Sequence, residues 1–127
     1  MNESADDVKN IFREKFNREL RLFYSPGRIN LIGEHIDYND GFVMPAAINK
    51  GIFFAISLNN SEKINFHSID VDESISLSLS EVKKMDSWKN YVLGIVDEFK
   101  KLHLPVQGFD CVFGGNIPIG GGMSSSA

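Results

Sequence analysis

The densest chemistry in the sequence lies in two short stretches. Between Ser25 and Gly41 the chain carries Arg28, Asn30, Glu34, His35, Asp37, Tyr38, Asn39 and Asp40, punctuated by Pro26, Gly27, Gly33 and Gly41. A mere connection needs only turn formers. A cation, carboxylates, an imidazole and amides together suit a polyhydroxylated ligand, because each hydroxyl both donates and accepts. The second stretch, residues 114–127, reads Gly-Gly-Asn-Ile-Pro-Ile-Gly-Gly-Gly-Met-Ser-Ser-Ser-Ala and holds five of the eleven glycines. Consecutive glycines let backbone N–H groups converge without Cβ obstruction, and the serines add hydroxyls where a helix should begin. That combination makes an anion nest of the kind that cradles phosphates.

Each stretch also has a plainer reading. The first can be a solvated loop in which Asp37 and Asn39 make Asx-turns and His35 caps a carbonyl. The second can be a glycine-serine linker. Neither common nucleotide fingerprint fits: no lysine precedes the serines, and Gly120-x-Gly122 is followed by Ser125 rather than a third glycine. A metal centre at Glu34, His35 and Asp37 lacks a second histidine at ligand spacing, since His67 and His103 are distant in sequence.

Composition narrows the classes further. The 127 residues are 43% apolar and 24% charged, the balance of a soluble globular domain, and are enough for one core but not two domains. A net charge of -4 argues against non-specific binding to nucleic acid or to a membrane surface, so an anionic ligand must be held by local devices. No apolar run approaches the length of a membrane span and the polar, acidic N-terminus has no signal-peptide pattern, which makes a cytoplasmic protein the expectation. The single cysteine, Cys111, reads as a small buried hydrophobe.

The elements that must position these stretches are legible from periodicity. Val8, Ile11, Phe12, Phe16 and Leu20 recur at helical steps, which predicts an amphipathic helix over Ser4–Leu20 with Ser4 as N-cap. Leu22–Ser25 reads as a short strand running into a turn at Pro26-Gly27. Strands are expected at Gly51–Leu58, Glu62–Ser68, Ser74–Leu79 and Gln107–Phe113, with a hairpin turn at Asn59-Asn60. A second helix is expected over Ser87–His103. This order predicts an α+β domain.

The two stretches together carry a family resemblance. Residues 27–41, Gly-Arg-Ile-Asn-Leu-Ile-Gly-Glu-His-Ile-Asp-Tyr-Asn-Asp-Gly, with Pro45 and Ile48, resemble the galactokinase signature. Pro118-Ile-Gly-Gly-Gly-Met-Ser-Ser-Ser-Ala127 resembles the phosphate-binding loop of the GHMP small-molecule kinases. Both occur in the family's order and approximate spacing. Ile36 stands where threonine is usual, and Met44 and Met123 where leucine is usual, changes that leave every charged position intact.

The resemblance implies a mixed sheet with packed helices and an activity: transfer of the γ-phosphoryl group of ATP to the anomeric hydroxyl of α-D-galactose, with magnesium, the first step of the Leloir pathway. By motif position, Arg28 is the cation that stabilises the transferring group, and Glu34, His35, Ile36 and Asp37 form the sugar-binding segment. Gly120, Gly121, Gly122, Met123, Ser124, Ser125 and Ser126 form the phosphate loop, Ser126 the magnesium contact, and Ser68 a nucleotide contact. The family's aspartate base and glutamate magnesium ligand follow the serine loop. Residues 1–127 are therefore expected to be an incomplete N-terminal domain ending in that loop, inactive alone. The resemblance leaves two alternatives open: a kinase of N-acetylgalactosamine or arabinose, and a non-catalytic sugar and ATP sensor. Such sensors lack the last Ser-Ala of the loop, which is present here as Ser126-Ala127.

Overall fold

The computed structural model describes residues 4–33 and 35–118. Ser4 caps helix α1 (Ala5–Phe16): its hydroxyl accepts from the Asp7 N–H at 3.2 Å while its own N–H donates to the Asp7 carboxylate at 2.9 Å. The Ser4 hydroxyl, which donates to the Asp7 carboxylate at 2.6 Å, and then the Ser4 N–H hold the Asp7 carboxyl below its ordinary range. The apolar period predicts helix as far as Leu20, but α1 ends at Phe16. Asn17 adopts a left-handed backbone (φ 48°) and donates its N–H to the Arg13 carbonyl at 2.9 Å, closing the helix. Leu20 still packs against the cluster formed by Val8, Phe12, Ala55 and Val112, so its spacing reports burial rather than helix.

Five strands form one sheet: β1 (Arg21–Asn30), β2 (Pro45–Leu58), β3 (Lys63–Ser68), β4 (Glu73–Ser78) and β5 (Phe109–Gly115), in the order β1-β2-β5-β3-β4. The pairing is antiparallel except between β3 and β5. This is the mixed α+β architecture expected, with two local corrections. Pro26-Gly27 is not a turn: β1 continues through it with a bulge, the register shifting between Pro26 and Arg28. β1 is an edge strand, where the missing proline N–H is tolerated. Nor is Asn59-Asn60 the turn of a hairpin, because β5, some fifty positions later, inserts between β2 and β3.

Alternation along the strands divides the core in two. On one face Ala55 and Val112 pack with Val8 and Phe12 of α1. On the other, Ile64, Phe66 and Cys111 pack with Leu93 and Val96 of helix α2 (Lys89–Lys101). Full burial of a Phe or Leu side chain is worth about 1.5–3 kcal/mol, so Phe12, Phe66 and Leu93 are leading contributors. Trp88, just ahead of α2, meets Phe66 and Phe113 edge-on at 5.7 Å, and its indole N–H donates to Glu73 at 3.1 Å. With Lys89 also on Glu73 at 3.2 Å, that carboxyl is held below its usual range. Among the described residues no helix is long and apolar enough to cross a membrane.

Candidate functional site

The bulge at Gly27 sets the geometry of the first chemical stretch. After it, Arg28 lies opposite Ala47 on β2, exposed, and Asn30 lies opposite Pro45. The two strands then open into a loop. The Leu31 N–H donates to the Met44 carbonyl at 2.9 Å and the Met44 N–H to the Ile32 carbonyl at 3.0 Å, so the loop base is clamped. At Gly33 the backbone is left-handed (φ 96°), and a Cβ there would lie 2.4 Å from the Phe42 carbonyl oxygen, which requires glycine.

Beyond it, Asp37–Asn39 form one turn of 3-10 helix. The Asn39 and Gly41 N–H groups both donate to the Ile36 carbonyl, at 3.1 and 2.8 Å. His35 and Asp40 take left-handed backbone, φ 57° and 58°. The His35 ring meets Tyr38 edge-on at 6.4 Å. His35, Ile36 and Asp37 are thus exposed on a loop shaped by main-chain hydrogen bonds. Their exposed neighbours Leu31, Ile32, Tyr38 and Phe42 include a phenyl ring that is 96% exposed. Glu34 and residues Gly120, Gly121, Gly122, Met123, Ser124, Ser125 and Ser126 lie outside the described residues.

The start of the glycine-rich stretch is described, and it approaches the bulge. The chain leaving β5 pairs Gly115 with Ile52 of β2. The Asn116 N–H then donates to the Gly51 carbonyl at 3.2 Å. Ile117 follows, and a Cβ on Gly27 would lie 2.9 Å from its Cδ1. The fold therefore brings the second stretch to the backbone of the residue next to Arg28. Ser68 is at the same end of the sheet, opposite Phe113 on the parallel pair, and only 3% exposed. Next to it the Ile69 N–H donates to the Phe113 carbonyl at 2.9 Å, and Asp70 accepts from the Gly115 N–H at 3.4 Å.

The other reactive types are occupied elsewhere. Cys111 is 4% exposed, and burial pushes its thiol up to about 12, which leaves no thiolate at neutral pH. His67 is buried on β3, with Nδ1 at 2.9 Å from the Ser74 hydroxyl. Asp110, 2% exposed, accepts from Asn59 at 2.9 Å and Asn65 at 2.7 Å and pairs with Arg18 at 3.3 Å. This carboxylate ties β5 to β3, to the chain after β2 and to the chain after α1. Periodicity alone missed it, because a polar residue at an inward strand position looks like an ordinary break in the pattern.

A family model described as the galactokinase galactose-binding signature matches residues 10–58, the stretch from α1 through the bulged hairpin. The chain is 42% identical over 127 residues to the galactokinase of Clostridium acetobutylicum, covering 96% of this chain and 32% of that protein. It is also 42% identical over 130 residues to the Bacillus subtilis galactokinase, covering 96% of this chain and 33% of that one. The crystal structure of Lactococcus lactis galactokinase complexed with galactose superposes with a TM-score of 0.82 at 39% identity, over 92% of this chain and 32% of that chain.

Over nearly its whole length the chain is similar to galactokinases. It spans about a third of the length of the galactokinases it matches. The fold extends beyond galactokinases: Methanococcus jannaschii mevalonate kinase has a TM-score of 0.68 at 24% identity, covering 85% of this chain and 36% of that one.

Proposed function

We propose that this chain supplies the sugar-recognition hairpin and the entry to the phosphate loop of a cytoplasmic galactokinase, which transfers the γ-phosphoryl group of ATP to the anomeric hydroxyl of α-D-galactose. Residues 1–127 are then the N-terminal part of its catalytic domain. The observation that carries the reading is the meeting of the two chemical stretches: Ile117 packs at Gly27, next to Arg28.

Phosphoryl transfer asks mainly for alignment and for neutralisation of charge on the equatorial oxygens. Arg28 serves the second need, because a guanidinium stays protonated and offers a planar fork of donors to phosphate. His35, Asp37 and Glu34 serve the sugar, and Ile36 supplies an apolar wall. Backbone N–H groups of Gly120, Gly121 and Gly122, with Met123, Ser124 and Ser125, receive the phosphates. Ser68, buried at the same sheet end, lies on the nucleotide side. Ser126 offers one hydroxyl oxygen, which fits an ion that keeps most of its waters. Magnesium, when bound there, supplies charge neutralisation on the β and γ phosphates.

The test is product identity. The whole protein, given ATP and galactose, should yield galactose 1-phosphate by phosphorus NMR, with N-acetylgalactosamine and arabinose turned over more slowly. Binding of both sugar and ATP without transfer would favour a sensor, and faster turnover of either other sugar would reassign the substrate.

A further inference from the structure

We propose that Asn116 is a positioning residue: its side chain replaces a strand carbonyl, so that the chain leaves β5 on a fixed path from Gly51 to the Arg28 bulge. The inference rests on the kinase reading above and adds to it a residue that sets how the sugar and phosphate sides are aligned.

The register explains why a substitute is needed. Along β2 and β5 the pairs run Phe53 with Gly114 and Ile52 with Gly115, so Asn116 falls opposite Gly51. In a regular antiparallel pair those two residues would exchange main-chain hydrogen bonds in both directions. One direction is kept, from the Asn116 N–H to the Gly51 carbonyl at 3.2 Å. In the other, the Gly51 N–H donates to the Asn116 side-chain Oδ1 at 2.9 Å instead of to its backbone carbonyl. That freed carbonyl accepts from Lys50 Nζ at 3.3 Å.

The consequence is directional. Gly51 is buried, so its N–H must find an acceptor or the fold bears the cost of an unpaired donor. Asn116 meets this need with a short side chain, and its own main chain is released from the ladder one residue early. The released chain sends Ile117 to Gly27, where there is no Cβ to obstruct it. β1 cannot supply the acceptor, because the Gly51 N–H and carbonyl both face the β5 side, away from β1. With alanine at position 116, the Gly51 N–H loses its acceptor and the path that carries Ile117 to Gly27 loses its anchor.

The experiment uses the whole protein with Asn116→Ala, Asn116→Leu and Asn116→Asp. Aspartate keeps an acceptor oxygen in the same place, beside Lys50, whereas leucine keeps the size and loses the acceptor. Amide hydrogen exchange at Gly51 should quicken in the alanine and leucine variants and stay near wild type in aspartate. The kcat should fall by about ten- to a hundredfold in the first two, the range expected when reacting groups shift by about an ångström, with aspartate largely rescued. Galactose and ATP dissociation constants should change little. Combined with Arg28→Ala, the Asn116→Ala loss should largely vanish, since both act on the alignment of one group.

Unchanged Gly51 exchange in Asn116→Ala would overturn the clamp whatever the protein's activity. Faster exchange with wild-type kcat would overturn the positioning role, as would equal loss of kcat and melting temperature in all three variants. A wild-type protein that makes no sugar phosphate would instead remove the kinase reading, and the positioning role with it.

Discussion

At the scale of single residues, Arg28 and Asp37 should fail differently. In the proposed kinase, Arg28→Ala in the whole protein is expected to lower kcat by about 10²-fold or more while galactose affinity stays near wild type, because the role proposed for its guanidinium is on charge that develops in the transition state. Asp37→Asn and His35→Ala should raise the galactose KM and leave ATP affinity within a few-fold, because a bound hydroxyl loses its partner. Separate titrations of sugar and nucleotide distinguish the two; equal damage to both affinities by Asp37→Asn would point to a disturbed loop instead. Both assignments come from residue type and motif position. The exposed placement of Arg28, His35 and Asp37 around one clamped loop base is what the structure adds. Asn116 could not be found that way, because its role depends on the register between β2 and β5, which no local pattern encodes.

His67 adds a pH dependence at the same scale. Burial first, and then the Lys15 charge, hold its imidazolium pKa below the ordinary value, with Asp72 opposing. The folded protein therefore keeps His67 neutral at pH values where the unfolded chain has already bound a proton. Its contribution to stability is full above about pH 6.5 and is lost as pH falls from there toward the lower folded-state pKa. Melting temperature should drop between pH 7 and pH 5, and His67→Gln should flatten that slope. A slope unchanged by the substitution would assign the acid sensitivity to other groups.

At the scale of elements, two glycines predict opposite outcomes for the same substitution. A Cβ on Gly51 would lie 2.4 Å from the Ser25 carbonyl oxygen and 2.6 Å from the Tyr24 ring, so Gly51→Ala must push β1 away from β2 beside the bulge. The expected cost is about 1–3 kcal/mol, the range for overpacking a close contact. Gly94 sits inside α2 with nothing within 4 Å of such a Cβ, and Gly94→Ala should stabilise by about 0.5–1 kcal/mol through helix propensity. Thermal denaturation of both variants checks the pair. The same elements mark where the sequence was readable. Ser4 and Asp7 announce the start of α1 because capping is a contact three residues apart, a distance a local pattern can see. The end at Phe16 was hidden, since Leu20 continues the apolar period while serving a different element. Pro26-Gly27 looks like a turn in any sequence, and only the edge position of β1 makes it a bulge. The hairpin expected at Asn59-Asn60 failed because β5 displaces β3 from β2, a pairing across some fifty residues that outcompetes the local one.

At the scale of the whole molecule, the two faces of the sheet are unequally covered. On one, α1 seals Val8 and Phe12 completely, both at 0% exposure. On the other, α2 leaves a groove of about 340 Å³ against β2 and β5, lined by Phe54, Ile56, Val92, Phe99, Phe109 and Phe113. Ile95 and Leu102 of the same region are 62% and 67% exposed, and Phe42 stands out from the loop between β1 and β2. Apolar surface of this extent, together with the open edges of β1 and β4, favours association in water. A polypeptide consisting of residues 1–127 and nothing more should therefore self-associate and bind a hydrophobic dye. It should also form no galactose 1-phosphate when made in a host deleted for its own galactokinase, because it spans only about a third of the galactokinases it matches. Sedimentation velocity, dye fluorescence and product detection on that polypeptide decide the point. A monodisperse monomer that ignores the dye would mean that the α2 face is stable in water as it stands, and sugar phosphate from the same preparation would mean that proton acceptance from the anomeric hydroxyl lies within these residues.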